Sequence, residues 1–489
     1  MNAHHYIACD LGAESGRVIL GRLREGRVTL EEVHRFPNGA VKIAGSLRWD
    51  VLRIFDELKT GLRKVAARGV RAESMSVDSW GLDYVLTGEG QPMLALPHHY
   101  RDARTDGPYA AALVAPGAEV IFAETGIQFM PVNTLYQLLA EQKRSPRLLE
   151  LAERFLTIAD WLHFLFSGVA VIEESLASTT QLYHPVRRAW SERLIGTFAF
   201  PRKIFPPIVP SGTRLGGLLP EVAAELGVGA LAVIATCSHD TGAAVAAVPA
   251  SGEDWAYLSS GTWSLLGVEL AVPLLSDAAR AHNFTNEAGF GGTTRFLKNI
   301  VGLWLLQESR RAWALDGREY DYATLAAEAA LAEPFRALIN PHDARFWKPD
   351  AMPEKIAAYC RETGQPAPET PGQFTRCIYE SLALLYRRTL AEVGEVTGRT
   401  IARLHIVGGG SQSRLLNQFA ASATGRTVFA GPVEATALGN VLLQAVTLGH
   451  LASLSALRET VRASFEIERY EPQDRDEWER AAARFAALP

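Results

Sequence analysis

The stretch Thr236–Val245, close to the middle of the 489-residue chain, carries the side chains best placed to do chemistry. The apolar run 231–235 predicts a buried strand before it, and the small residues of 243–248 predict a helix after it, ended by a proline. Asp240 therefore falls at a helix start, where backbone N–H groups and the helix dipole favour its ionised form. The local pattern supports two interpretations equally: a helix cap supplied by Ser238 or Asp240, or a positioned catalytic carboxylate.

Each half of the chain opens with an apolar strand, a turn rich in Gly and Ser, and a second apolar strand, at 6–21 and again at 256–267. A P-loop or a dinucleotide fingerprint needs a helix after its glycines, and here a strand follows. The backbone of such a turn can still bind phosphate, because Gly12 and Gly16 allow close approach. A plain hairpin explains the first turn as well. The repetition predicts an internal structural duplication.

Side chains in the first turn match the same chemistry. Ser15 and Arg17 add a hydroxyl group and a fixed positive charge, and Asp10 offers a carboxylate that can hold Mg²⁺ through water. A further strand, turn and strand at 74–86 place a tryptophan and Gly81 at the bend. Such a bend can present a flat ring and bare backbone to a sugar, but a hairpin packed in the core is the simpler interpretation.

Three consecutive glycines, 408–410, follow a strand predicted over 404–407 and precede a helix predicted from about residue 415 to 423. Bare backbone at this point gives a flat base or a ribose a surface to lie against. A simple turn from strand to helix rarely needs three glycines, so the pattern favours binding.

Length and composition exclude several classes of protein. A chain of 489 residues predicts two domains of roughly 200–250 residues each. A net charge of −5 without a basic run argues against nucleic-acid binding, and no apolar stretch has the length of a membrane helix. Four cysteines are too few for a disulfide framework, and the N-terminus lacks the features of a secretory signal. We therefore expect a cytoplasmic protein with no membrane or nucleic-acid partner.

The order of these motifs resembles that of the FGGY carbohydrate kinases over about residues 6–470. The motifs that carry the resemblance are Asp-Leu-Gly-x-x-Ser-Gly-Arg at 10–17, Asp-x-Trp-Gly-x-Asp at 78–83, Ser-His-Asp-Thr at 238–241, Ser-Ser-Gly-Thr-Trp-Ser at 259–264 and Val-Gly-Gly-Gly at 407–410. Within the family the resemblance is greatest to the kinases of L-rhamnulose. The stretches that carry this narrower resemblance are 126–129, 133–138, 297–307 and 404–410.

The resemblance implies an α/β fold of two actin-like (ribonuclease-H-like) domains, each a mixed five-stranded sheet flanked by helices, with the active site in the cleft between them. Residues 1–247 would form the sugar-binding, catalytic domain and residues 248–489 the nucleotide-binding domain. The implied reaction converts ATP and L-rhamnulose to ADP and L-rhamnulose 1-phosphate with Mg²⁺, by a monomer or a weak homo-oligomer.

The resemblance also implies roles for individual residues. Asp240 would accept the proton of the sugar 1-hydroxyl and Asp10 would serve the metal, through water. The sugar would be held by Gly81, His239, Asp240 and Thr241. The ATP site would be lined by Ala13, Ser15, Gly16, Arg17, Thr262, Asn299, Gln307 and Gly409. Glu14 is excluded as a ligand, because an acid beside phosphates is repulsive, and we expect its side chain to face solvent.

Three questions stay open at this level. Other ketoses, such as L-fuculose, L-xylulose and L-ribulose, are alternative substrates. An actin-like nucleotide-binding regulator without turnover is a less favoured alternative, because the chain starts directly on the first hairpin and leaves no room for a DNA-binding helix-turn-helix. Cys360 and Cys377 match a pair that some relatives join in a disulfide, and in a reducing cytoplasm we expect free thiols.

Overall fold

The computed structural model describes residues 3–489 and divides into two compact units. Unit 1 contains the residues up to Pro249, together with Glu269–Phe296 and Ala435–Ser464. Unit 2 contains Ala250–Val268, Leu297–Glu434 and Phe465–Pro489. Two segments from the later part of the sequence therefore belong to the first unit. The domain boundary at residues 247 and 248 stays a prediction.

The strands are β1 His4–Leu11, β2 Ser15–Arg24, β3 Arg27–Pro37, β4 Ala40–Ile43, β5 Ser46–Trp49, β6 Ser74–Ser79, β7 Tyr84–Thr87, β8 Arg154–Thr157, β9 Ile172–Glu173, β10 Tyr183–His184, β11 Ala189–Trp190, β12 Ile208–Val209, β13 Thr213–Gly217, β14 Ala232–Ala235, β15 Trp255–Ser260, β16 Trp263–Leu270, β17 Thr285–Ala288, β18 Thr294–Val301, β19 Arg403–Val407, β20 Thr427–Ala430 and β21 Glu468–Tyr470.

The α-helices are α1 Val51–Ala67, α2 Asp106–Ala112, α3 Ala118–Thr125, α4 Thr134–Arg144, α5 Pro146–Leu151, α6 Ile158–Ser167, α7 Glu174–Ala177, α8 Glu192–Thr197, α9 Pro220–Leu226, α10 Asp240–Ala246, α11 Asp277–Ala281, α12 Trp304–Leu315, α13 Tyr322–Leu331, α14 Met352–Glu362, α15 Pro371–Thr397, α16 Arg414–Thr424, α17 Ala435–Thr447, α18 Leu454–Ser464 and α19 Arg475–Ala486.

The main sheet of unit 1 has the strand order β13-β14-β6-β1-β2-β3. Strands β1, β6 and β14 run parallel, and β2, β3 and β13 are antiparallel to their neighbours. The inner strands read as nearly continuous apolar runs because helices cover both faces of the sheet. The parallel strands all end at one edge, which is the edge where Asp10 and Asp240 lie.

Helices α1 and α17 show how the sequence folds onto this sheet. Helix α1 buries apolar side chains at helical spacing, and Asp50 caps it by accepting a hydrogen bond from the N–H of Arg53 at 3.2 Å. Helix α17 packs closely on β2, although it lies nearly 200 residues after α10 in the sequence. A Cβ atom at Gly21 would lie 2.4 Å from the Val441 side chain, so glycine is required for this approach.

The second large sheet has the strand order β17-β18-β16-β15-β19-β20-β21, and all of it except β17 and the ends of β18 and β16 belongs to unit 2. Strands β15, β19 and β20 run parallel, and β16 and β21 pair antiparallel with their neighbours. The 27-residue helix α15 buries one long stripe of apolar residues, including Ile378, Leu382 and Leu385.

The predicted α/β class with mixed sheets flanked by helices is confirmed. The strand number differs, because in residues 3–489 the two large sheets have six and seven strands where five were expected in each. The additional strands are short and lie at sheet edges. Strand β13 pairs with the edge of β14 around a bulge, and β17 and β21 each lie at one end of the second sheet. Edge strands of this kind have weak sequence patterns, since only one neighbour pairs with them.

Within residues 3–489, none of the helices is both long and apolar enough to cross a membrane. The four cysteines are buried free thiols. Cys377 donates a side-chain hydrogen bond to Cys360, and this bond lowers the pKa of Cys360 and raises that of Cys377. The expectation of free thiols at these two positions therefore agrees with the structure.

Candidate active site

The carboxyl ends of β1, β6 and β14 bring distant parts of the sequence together in unit 1. Asp10 on β1 and Asp78 on β6 are register partners, and Ser79 forms a parallel bridge with His239. The N–H of Ser79 donates to the carbonyl of Ser238 at 2.9 Å. These backbone contacts place three aspartates on one edge of the sheet, since parallel strands share their end.

Asp240 is the first residue of α10, which begins earlier than the helix predicted over 243–248, and His239 is its N-cap residue. Its Oδ1 accepts hydrogen bonds from the backbone N–H of Thr241 and from the Thr241 hydroxyl, the latter at 3.1 Å. The side chain is still 30% exposed. Asp240 therefore fixes the local turn through one oxygen and keeps the other available to a ligand. Neither Ser238 nor Asp240 is the N-cap residue, and the catalytic role of Asp240 stays a prediction.

Buried groups on the loop around β9 hold the 238–239 backbone in place. Glu173 accepts the N–H of Ser238 at 3.0 Å, and the Ser175 hydroxyl accepts the N–H of His239 at 3.0 Å. Burial raises the pKa of Glu173, and its hydrogen bonds with Ser175 and Ser211 oppose that rise. The backbone N–H groups of Ser238 and His239 therefore both donate to buried side chains, and these two hydrogen bonds fix the loop that presents Asp240.

Two residues beside His239 were missed by the sequence analysis. Arg295 lies with Nη2 3.2 Å from His239 Nδ1, and Glu287 Oε2 lies 3.3 Å from the same nitrogen. Arg295 Nη1 and Glu287 Oε2 form an ion pair at 3.0 Å, with the arginine side chain fully buried. Strand β18 also contains Thr294, Lys298 and Asn299, so no local pattern distinguished Arg295 in the sequence.

The first hairpin places Asp10 and Arg17 opposite each other, and the two side chains form an ion pair. Ala13 and Ser15 are half-buried in the turn, and Glu14 is exposed as expected. Packing explains the glycine at position 16, because a Cβ atom on Gly16 would lie 2.2 Å from the Phe36 ring. Its role in phosphate binding stays a prediction.

Asp78 adds a second carboxylate next to Asp10. Burial first, and then the charge of Asp10, raise the pKa of Asp78 well above its ordinary value, while a 2.6 Å hydrogen bond from Asn440 opposes the rise. Asp78 Oδ1 is buried and has no hydrogen-bond partner among residues 3–489. Adjacent carboxylate oxygens, one of them unpartnered, are the donor set that Mg²⁺ prefers, so this edge fits the metal implied for Asp10.

Gly81 and its neighbour Trp80 are explained by packing. A Cβ atom on Gly81 would lie 2.9 Å from the Thr179 hydroxyl, so the main chain lies close to that side chain. Trp80 is buried with its ring 4.1 Å from the Trp49 ring, and both indoles donate to Asp83. The core interpretation of the Trp-Gly bend is confirmed for Trp80, and sugar binding by the Gly81 backbone stays a prediction.

The residues predicted to line the ATP site in unit 2 converge on the turn between β15 and β16. The carbonyl of Thr262 accepts the N–H of Trp304 at 3.2 Å, at the start of the helix that carries Gln307. Gly302 makes this approach possible, since a Cβ atom there would lie 2.6 Å from the backbone of Trp263. Asn299 lies three residues earlier on β18. The structure therefore brings Thr262, Asn299 and Gln307 into one region.

Gln307 and the triple glycine show where a ligand would fit. The Oε1 atom of Gln307 is buried without a hydrogen-bond partner among the described residues. Gly408 and Gly410 both abut Ser260, and a Cβ atom on Gly410 would lie 2.0 Å from its hydroxyl. Gly409 is exposed, with nothing within 4 Å of a Cβ atom. Two of the three glycines are therefore explained by packing, and only Gly409 presents open backbone.

A third polar cluster lies at the opposite end of β1. Within residues 3–489, one group of His, Cys, Asp and Glu side chains is close enough together to share an ion, and it consists of His4, Glu73 and His450. His4 Nδ1 lies 2.7 Å from Glu73, but the two imidazole rings are stacked face to face at 3.7 Å. An ion in the plane of one ring would therefore lie out of the plane of the other, and we interpret the cluster as a hydrogen-bonded contact.

Comparison with known proteins identifies the family. Residues 5–247 match the model of the FGGY family of carbohydrate kinases, N-terminal domain, and residues 256–448 match that of its C-terminal domain. The rhamnulokinase of Bacteroides thetaiotaomicron is 43% identical over 481 residues, covering 98% of both chains. That of Enterococcus faecalis is 42% identical, covering 95% of this chain and 94% of the relative.

Solved structures give the same fold at low sequence identity. The ligand-bound xylulose kinase of Lactobacillus acidophilus superposes with a TM-score of 0.83 at 15% identity, covering 99% of this chain and 97% of its own. The xylulose kinase of Rhodospirillum rubrum gives a TM-score of 0.80 at 19% identity, covering 100% and 98%. At such identities the likeness establishes the two-unit α/β fold alone.

Proposed function

This chain belongs to the FGGY family of carbohydrate kinases, and on that premise we propose that it transfers the γ-phosphate of ATP to the 1-hydroxyl of L-rhamnulose. The curated relatives named rhamnulokinase, at 41–43% identity over nearly the full chain, support this choice among ketoses. The observation that carries the chemistry is the geometry of Asp240, whose Oδ1 is held by Thr241 while the side chain stays partly exposed.

In the proposed step, Asp240 orients the 1-hydroxyl and takes its proton. The sugar O1 forms a bond to the γ-phosphorus as the bond from that phosphorus to the β–γ bridging oxygen breaks, and ADP leaves with the electron pair. Catalysis of this kind depends on positioning and charge, so an ionised carboxylate suffices as the base. His239, Thr241 and the Gly81 backbone would hold the sugar.

The residues of unit 2 would bind ATP. Thr262, Asn299, Gln307 and Gly409 would line the nucleotide, together with the first hairpin from Ala13 to Arg17. Mg²⁺, when bound with ATP, supplies positive charge that neutralises the phosphates, and Asp10 would hold it through water. Placement of the active site in a cleft, the monomeric or weakly associated state and the cytoplasmic location stay predictions.

A substrate panel tests the proposal. ADP release is measured with L-rhamnulose, L-fuculose, L-xylulose and L-ribulose, with and without Mg²⁺. We expect the highest kcat/KM for L-rhamnulose, and no ADP release from its 1-deoxy analogue above the rate of ATP hydrolysis without sugar. A preference for another ketose would overturn the substrate assignment. Absence of turnover with every ketose would favour a nucleotide-binding regulator.

A further inference from the structure

We infer that Arg295 is a positioning residue that fixes the tautomer of His239 and thereby places an Nε2–H beside Asp240. The inference rests on the proposed function for its consequence, although the tautomer follows from contacts within unit 1. Arg295 Nη2 lies 3.2 Å from His239 Nδ1. A guanidinium group donates hydrogen bonds and accepts none, so Nδ1 must be the acceptor in this contact. The imidazole proton is then on Nε2.

The Nε2–H lies next to the proposed base. His239 Nε2 is 3.4 Å from Asp240 Oδ1, the same oxygen that Thr241 holds. The N–H and the hydroxyl of Thr241 donate to Oδ1, and the Nε2–H of His239 lies beside that oxygen. Oδ2 is left to accept the proton of the sugar hydroxyl. Orientation of a carboxylate in this way matters, because a base acts only when its free oxygen is within hydrogen-bond reach of the proton.

Burial and polar contacts hold the Arg295 side chain in this position. Its side chain is fully buried, its Nε donates to the carbonyl of Ala288 at 3.1 Å, and its Nη1 pairs with Glu287 at 3.0 Å. The first turn of α10 packs against it, since a Cβ atom on Gly242 would lie at an ordinary contact distance of 3.5 Å from the guanidinium carbon. A buried arginine with three fixed partners is a rigid donor.

Glu287 competes with Arg295 for Nδ1 of His239, so a fixed donor is needed to set the tautomer. Its Oε2 lies 3.3 Å from His239 Nδ1, close enough to accept a proton from that nitrogen. Without Arg295, Nδ1 would carry a proton and donate to Glu287. Arg295 therefore selects the Nε2–H tautomer, because it occupies the acceptor lone pair of Nδ1 and pairs with Glu287.

Histidine ¹⁵N NMR tests the tautomer directly. The wild-type protein is labelled at histidine, and the His239 signals are identified as those lost in His239→Gln. We expect the Nε2–H tautomer at pH 8 in the wild-type protein, and a signal typical of Nδ1–H in Arg295→Met. A proton on Nδ1 in the wild-type protein would overturn the inference, whether or not the protein phosphorylates any ketose. If Arg295→Met fails to fold, the wild-type signals, assigned with His239→Gln, still decide the inference.

Kinetics test the consequence. We expect Arg295→Met to lower kcat by on the order of 10- to 100-fold, the range typical of residues that orient a functional histidine, with KM for ATP nearly unchanged. Arg295→Lys should restore part of the activity because it keeps a donor. Arg280→Met, on a helix of the same unit, is the matched control. A loss of activity in Arg295→Met with an unchanged Nε2–H tautomer of His239 would indicate a purely structural role and contradict the inference.

Discussion

The backbone N–H of Ser79 donates to the carbonyl of Ser238 at 2.9 Å, although 159 residues separate the two along the chain. This hydrogen bond ties the end of β6, which leads to Gly81, to the loop that leads to Asp240. The two segments proposed to hold the sugar are therefore parts of one rigid sheet edge. A shift of either backbone segment should therefore also displace the other.

Replacement of Asp240 by asparagine should abolish phosphate transfer and leave ATP binding nearly unchanged. The amide can still accept the Thr241 N–H and preserve the turn, but it cannot take a proton. A fall in kcat of about 10²- to 10⁴-fold is expected for loss of a general base. Steady-state ADP release and ATP titration measure the two properties. Asp277→Asn, at a position 91% exposed in the first turn of α11, is the control. Near-normal turnover by Asp240→Asn would contradict the assignment of the base.

Gly409 and Gly410 form a matched pair. Gly410→Ala should lower the free energy of unfolding by about 1–3 kcal/mol, because its Cβ atom would overlap the Ser260 side chain. Gly409→Ala has open space and should leave the thermal midpoint unchanged while raising KM for ATP. Thermal unfolding and ATP kinetics distinguish the two variants. An unchanged KM in Gly409→Ala would remove Gly409 from the nucleotide site.

Alanine at Gly81 should raise KM for the sugar by moving the main chain away from Thr179. The nearest contacts of the added Cβ atom are all with that side chain, the shortest at 2.9 Å. The double variant Gly81→Ala, Thr179→Ala should recover both KM and thermal stability, since the added methyl group then has room. Recovery of stability alone would mean that the Cβ atom itself occupies space the sugar needs.

Asp83 should give unit 1 a measurable dependence of stability on pH. Burial raises the pKa of Asp83 to about 6, and hydrogen bonds from Gln137, Trp49 and Trp80 oppose the rise. The folded protein keeps this proton at pH values where the unfolded chain has lost it. The stability that the group contributes is therefore complete below about pH 4 and is lost as the pH rises to about 6.

Asp83→Asn isolates this contribution, because asparagine is neutral at every pH. The thermal midpoint of the variant relative to wild type should rise between pH 4 and pH 6.5. One pKa unit is worth about 1.4 kcal/mol, so the relative gain is at most about 3 kcal/mol. Asp56→Asn, on the exposed face of α1, controls for a change of charge. Parallel midpoint curves for Asp83→Asn and wild type would show that Asp83 titrates alike in the folded and unfolded chains.

Much of the site could be predicted because its signals are local. The apolar runs before Asp10 and Asp240 predict the strands, the small residues after Asp240 predict α10, and the Gly/Ser turns predict both hairpins. The structure forms each of these elements. Strand and helix patterns depend on neighbours a few residues apart, and such patterns are visible in a single sequence. The family resemblance came from the order of these local motifs.

Tertiary structure alone decided the surroundings of those residues. Arg295 lies beside His239 across 56 positions of sequence, and Asn440 lies beside Asp78 across 362. No local pattern encodes such contacts, because they arise where separate chain segments meet in one unit. The glycines show the same division. Sequence located them in turns, but only packing revealed that Gly16 and Gly410 leave room for neighbouring side chains while Gly409 faces open space.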